Sequence, residues 1–172
     1  MSAIMVAGSW DETNPALQQD AITLGKTLAL REHTVITGGG EGIPFYVNVG
    51  VHSVRGNNIA FINEGRMADR QADHYKVVKN NITTEMGWDG RSVLAVKACD
   101  YLIVLGGSNG TLNEMTLAYL HGIPIYVLAD SSELITRFQK FLYKGKYIDV
   151  RENVEIMFFK TIQDILSLDC FR

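Results

Sequence analysis

The stretch YLIVLGGSNGTLNEMTLAYLHG, Tyr101 to Gly122, decides how this chain folds. Tyr101–Leu105 is apolar throughout, as a central strand of a parallel sheet buried on both faces should be. Small residues follow at once: Gly106, Gly107 and Ser108. After Gly110 the pattern becomes helical and ends at His121-Gly122, a good C-terminal stop. A strand that leaves through glycines into a helix is one step of a βαβ unit.

The same alternation extends to both sides. Ala3–Ala7 is a short apolar run ending at Gly8-Ser9, and Asn14-Pro15 reads as an N-cap with proline at the first helical position. That helix is expected to reach about Arg31. His33–Thr37 is the second strand and stops at Gly38-Gly39-Gly40; a helix from about Ile43 to Val54 and a strand over Asn58–Asn63 follow. Gly65 to Lys79 is polar and is expected to be a loop with a short helix. A short strand near Ile82 and a helix from Arg91 to Ala98 lead into Tyr101. Beyond Gly122 come a strand in IPIYVL, a helix from Ser131, a strand in VEIMFFK and a last helix from Thr161. Strands alternating with helices imply an α/β three-layer sandwich, a mostly parallel central sheet flanked by helices. Ligands of such sheets bind beyond the carboxyl ends of the strands, where the strand order reverses.

The 172 residues fit one domain, 1–172, with 47% apolar and 20% charged residues. A net charge of −3 argues against general affinity for DNA or RNA, so no nucleic-acid partner is expected. No apolar run approaches the ~20 residues of a membrane span, so no membrane partner is expected either. Cys99 and Cys170 form no CxxC pair, and the N-terminus lacks a signal-peptide pattern; a cytoplasmic protein is the simplest expectation. His33, His52, His74 and His121 show no metal spacing and are expected to be structural or solvated. No metal and no cofactor are expected.

Three strand exits converge on the same sheet edge: Gly8-Ser9, Gly38 to Gly40, and Gly106 to Ser108. Glycine amides and a helix N-terminus suit a phosphate, and Gly107, Ser108, Asn109, Gly110 and Thr111 fit that description. No lysine follows, so this is not a nucleoside-triphosphatase loop. Glu114 has two readings. Thr111-x-x-Glu114 has capping-box spacing, and spacing alone favours the cap. Thr161-x-x-Asp164 repeats that spacing with no glycine loop before it. Arg91 suits a phosphate or a carboxylate, although an arginine at a helix start is more often a surface residue.

Taken together these motifs resemble the Lonely Guy family and its relatives, a group that includes proteins labelled possible lysine decarboxylases and a Rossmann-like nucleotide-binding branch with molybdenum cofactor carriers. The family pattern PGGxGTxxE is matched by Gly106 to Glu114, with Gly106 for the proline and Ser108 for a glycine. Arg91 precedes Glu114 by 23 positions, the family spacing, with Ser92 where the family has lysine. ACDYLIVL, Gly38-Gly39-Gly40 and Gly8-Ser9 match further family elements, so the resemblance covers Ala3 to Leu128. ITTEMGWDGRS is closer to the nucleotide-binding branch.

The resemblance implies a Rossmann-like fold and a nucleoside 5′-monophosphate as ligand. It implies hydrolysis of the N-glycosidic bond to free base and ribose 5-phosphate. Arg91 and Glu114 would be the catalytic pair, with Arg91 holding Glu114 ionised by lowering its pKa. Gly8, Ser9, Gly39, Gly40, Gly107, Ser108, Asn109, Gly110 and Thr111 would bind phosphate and nucleotide. The segment from Gly65 to Asp89 is expected to help select the base. The resemblance also implies a homodimer or larger homo-oligomer. Two alternatives stay open: a non-catalytic carrier or sensor of a nucleotide or phosphorylated cofactor, and sugar transfer of the nucleoside-deoxyribosyltransferase kind through a covalent glutamate.

Overall fold

The computed structural model describes residues 1–63 and 73–172. Its strands are β1 (Ala3–Gly8), β2 (Thr34–Thr37), β3 (Asn57–Asn63), β4 (Asn80–Thr84), β5 (Tyr101–Leu105), β6 (Ile125–Leu128) and β7 (Ile156–Phe159). They form one sheet ordered β4-β3-β2-β1-β5-β6-β7. Every neighbouring pair is parallel. The chain winds outward from β1 to β4, then returns to pair β5 with β1 and winds the other way. The reversal lies between β1 and β5, where Gly8 pairs with Leu105. The crevice beyond those two carboxyl ends is where a ligand site is expected in this topology.

The helices are α1 (Pro15–Leu30), α2 (Ile43–Ser53), α3 (Asp73–Lys76), α4 (Gly87–Lys97), α5 (Asn109–Leu120), α6 (Glu133–Phe141) and α7 (Ile162–Leu166). Alternation along the strands divides the core in two. Ile4, Val6, Ile103 and Leu105 face α1, α2 and α7. Met5, Ala7, Leu102 and Val104 face α4, α5 and α6. The expected three-layer Rossmann-like sandwich is therefore present. No helix among the described residues is long and apolar enough to cross a membrane.

Local chemistry explains the boundaries. Asn14 caps α1, its side chain accepting from the Ala16 amide at 3.0 Å, with Pro15 next. Thr161 and Asp164 cap α7 reciprocally, the Asp164 amide to Thr161 Oγ1 and the Thr161 amide to Asp164 Oδ2, both at 3.1 Å. Glycine sets how closely α1 and α2 pack: a Cβ on Gly25 would lie 2.1 Å from the Val47 carbonyl oxygen. Two boundaries differ from expectation. α4 begins at Gly87, with Asp89 supplying a first-turn acid, so Arg91 lies in the second turn instead of opening the helix. α6 is capped by Ser132, whose hydroxyl accepts from the Ile135 amide at 3.2 Å, leaving Ser131 free for another task. Within the expected loop from Gly65 to Lys79, α3 is the short helix; 64–72 and the His74 side chain lie outside the described residues.

Candidate active site in the β1–β5 crevice

The crevice opens into a cavity of about 460 Å³ at the carboxyl edge of the sheet. Gly8, Gly40, Ser108, Asn109, Gly110, Thr111, Arg91 and Glu114 line it. Of the residues singled out in the sequence, Ser9, Gly39 and Gly107 do not.

These three have structural work instead. Ser9 is buried and its Oγ accepts from the Gly107 amide at 3.0 Å, while its carbonyl accepts from the Ile43 amide at 2.8 Å. Ser9 thus ties the β1 exit to both other glycine loops. The Gly107 amide is spent on Ser9 and is not a donor to a ligand. Gly107 has φ +152°, and a Cβ there would press on Thr111 at 2.9 Å. Gly39 has φ +66°, and a Cβ there would lie 2.7 Å from Ile62 and 2.8 Å from Ala60. Ser131 completes the bracing by accepting from the Gly106 amide at 2.9 Å.

The turn into α5 is capped by Ser108 and Thr111, the Ser108 amide donating to Thr111 Oγ1 at 3.4 Å. The expected cap by Glu114 is absent, because Glu114 lies a further turn inside α5, out of reach of the cap amides. The first-turn amides of Asn109 and Gly110 face no acceptor within the helix, as at any α-helix start. They are the donors a phosphate in this crevice would meet.

Glu114 is 7% exposed. Its Oε1 accepts from Ser92 Oγ at 3.4 Å and lies 4.0 Å from Arg91 Nη2. Burial disfavours the carboxylate and pushes its pKa from 4.5 up to about 7, against the opposing pull of Arg91 and Ser92. The expectation that Arg91 keeps Glu114 ionised is therefore corrected: Arg91 pulls in that direction, but burial wins. Arg91 has other commitments. Its Nη1 donates to the Gly38 carbonyl at 2.7 Å and approaches that of Phe61 at 3.4 Å, fixing it between the ends of β2 and β3. A Cβ on Gly38 would lie 2.9 Å from the guanidinium, so glycine there lets Arg91 keep this position.

Trp10, Glu41, Pro44 and Trp88 also line the cavity, and reading the motifs did not find them. The signal was present: the chain has two tryptophans, and each follows a strand exit, in GSW and in GW. Ser92, read as a departure from lysine, turns out to be the hydroxyl behind Glu114. Of the histidines, His33 is buried, its Nδ1 accepting from the Ser2 amide at 3.2 Å, and His52 and His121 are exposed. Burial pushes the Cys99 thiol up to about 12, so it offers no thiolate at neutral pH. Among the described residues no His, Cys, Asp and Glu cluster could hold a metal ion.

Several solved structures share this architecture. TM1055 superposes with a TM-score of 0.87 at 25% identity, over 96% of each chain. The molybdenum cofactor carrier protein of Chlamydomonas reinhardtii gives 0.77 at 19% identity, over 98% of this chain and 96% of that one. DNA processing protein A of Helicobacter pylori, which binds single-stranded DNA, gives 0.69 at 15% identity, over 95% and 78%. At the last two identities the likeness is one of fold. No curated protein matches the sequence. The SLOG cluster4 family model matches residues 1–157, nearly the whole of the glycine-looped sheet and its crevice, and this chain belongs to that family.

Proposed function

We propose that this protein, acting as a single domain, binds a nucleoside 5′-monophosphate in the β1–β5 crevice and hydrolyses its N-glycosidic bond. The observation that carries this proposal is Glu114, a buried carboxyl beside Arg91 in the same cavity as the α5 N-terminus. The SLOG family and its structural neighbours support the coarser role, binding of a nucleotide or related cofactor.

In the proposed reaction the phosphate sits against the Asn109 and Gly110 amides, with the Thr111 hydroxyl near. The C1′–N bond breaks with its electron pair leaving on the base, and the sugar becomes oxocarbenium-like. Ionised Glu114 stabilises that cation and takes a proton from the attacking water, whose oxygen bonds to C1′. The departing base regains a proton from solvent. A pKa of about 7 suits a group that must be substantially ionised yet able to accept a proton near neutrality.

The second reading, a carrier that holds its ligand without turnover, is favoured by one observation. Arg91 is held by backbone carbonyls, which limits what it can give a transition state. Single-stranded DNA belongs among the ligands tested, since a protein of this fold binds it and a net charge of −3 does not exclude a local site.

The test is chromatographic detection of free base from AMP, GMP, CMP and UMP. The expected result is release by the wild type and a loss of ~100-fold or more in Glu114→Gln, with binding retained. Tight binding of a monophosphate with no base released would overturn hydrolysis and leave the carrier. Release that requires an added acceptor base would indicate sugar transfer.

A further inference from the structure

We propose that Trp10 and Trp88 form a subsite for a planar aromatic ring, holding the base of the ligand while the turn into α5 holds its phosphate. This deepens the nucleotide reading and rests on it.

Both tryptophans of the chain line the same cavity. Both are also more than half exposed, Trp10 at 59% and Trp88 at 54%. Neither belongs to a hydrophobic core cluster. Two large aromatic rings, each more than half exposed and lining one cavity, offer a surface suited to a planar ligand.

Their supports are rigid. Trp10 follows Ser9, which is bonded to Gly107 and Ile43, and its backbone abuts Gly42, where a Cβ would lie 2.5 Å from the Trp10 carbonyl carbon. Trp88 lies in the first turn of α4, with the Arg91 guanidinium 5.2 Å from its ring centroid. A ring carried on an anchored backbone loses less freedom when a ligand stacks on it.

Arg91 also fixes where this subsite lies. The guanidinium that touches Trp88 is 4.0 Å from the Glu114 carboxylate. The Trp88 ring and the Glu114 carboxylate thus neighbour one guanidinium, the arrangement that a base on Trp88 with its sugar bond towards Glu114 would need. Stacking makes use of the π-face common to all bases, so the pair selects for a ring rather than for one base.

The test compares AMP with ribose 5-phosphate, which has the phosphate and sugar but no ring. Calorimetry would follow affinity in Glu114→Gln, which is expected to bind AMP without consuming it, and in that parent with Trp10→Ala, Trp88→Ala or the corresponding Phe change added. The expected result is ~10-fold weaker AMP binding with each Ala change, recovery with the Phe changes, and unchanged ribose 5-phosphate binding. Ala variants that bind AMP like the parent, or that lose ribose 5-phosphate equally, would overturn the ring subsite alone. So would a parent that binds both ligands equally well. A parent that binds neither would overturn the nucleotide reading together with the subsite.

Discussion

Replacing Glu114 by Gln should stabilise this protein, and only at pH values where Glu114 would otherwise ionise. Gln keeps the shape of the side chain and removes the charge. In the fold the carboxyl titrates at about 7 instead of 4.5, a value that already includes the help of Arg91 and Ser92. At ~1.4 kcal/mol for each tenfold in the ionisation constant, ionising it in the fold costs on the order of 3 kcal/mol. The sign follows from linkage. The folded pKa is raised, so the unfolded chain releases its proton first as pH rises. Stability is greatest below about 4.5, declines as pH climbs to about 7, and is level above. The Gln variant, with nothing to titrate, escapes that decline.

The assay is thermal unfolding of both proteins at pH 5 and pH 8. At pH 5 their stabilities should agree within ~1 kcal/mol. At pH 8 the variant should be more stable by up to ~3 kcal/mol, which for a chain of this size raises Tm by roughly 5–10 °C. A variant less stable than the wild type at pH 8 would refute the reasoning. It would mean that the ion pair with Arg91 outweighs burial, and that the carboxylate is a stabilising charge.

Two further predictions concern the glycine turn and assembly. Gly110→Ala should leave the fold intact or slightly firmer, by ~0.5–1 kcal/mol, because a Cβ there meets nothing within 4 Å and alanine is the better helix former. It should nevertheless weaken AMP binding severalfold by crowding the phosphate; unchanged affinity by calorimetry would remove Gly110 from the site. The chain is expected to form at least a homodimer, as the family resemblance implies. β4 is an outer strand of the sheet, and Ile82 on it is 42% exposed, an apolar side chain that a second copy of the chain would cover. Light scattering that gives a monomer at micromolar concentration would reject the dimer.

The sheet was legible in the sequence because its signals are local. Tyr101–Leu105 is apolar on both faces, and Asn14-Pro15 and His121-Gly122 bracket helices by chemistry confined to a few residues. Of the candidate site, the neighbourhood was legible, since Arg91 and Glu114 do meet in one cavity. What each residue does there was harder to read, because it depends on partners distant in sequence. Nothing near Ser9 announces that its hydroxyl takes the Gly107 amide 98 positions away. The pKa of Glu114 turns on burial, which the spacing Thr111-x-x-Glu114 cannot convey. Trp88 was covered only by the broad expectation for Gly65 to Asp89, and Trp10 by none.

The glycines show how far a motif can be divided by structure. Gly39, Gly42, Gly106 and Gly107 adopt positive φ, and Gly8 is pressed by the Leu105 carbonyl, so the fold itself requires each of them, whereas Gly38 is pressed only by the Arg91 side chain. Gly40 and Gly110 differ. Among the described glycines they alone have neither a positive φ nor any atom within 4 Å of a Cβ, and both line the cavity. In the first turn of α5, Gly110 forgoes the helix preference that alanine would bring, for no gain in packing. Glu114 sits buried where ionisation works against folding. Residues that folding alone would replace, gathered around one cavity, are what the proposed ligand would account for: bare backbone would let its phosphate approach the α5 amides, and the Glu114 carboxyl would face its sugar.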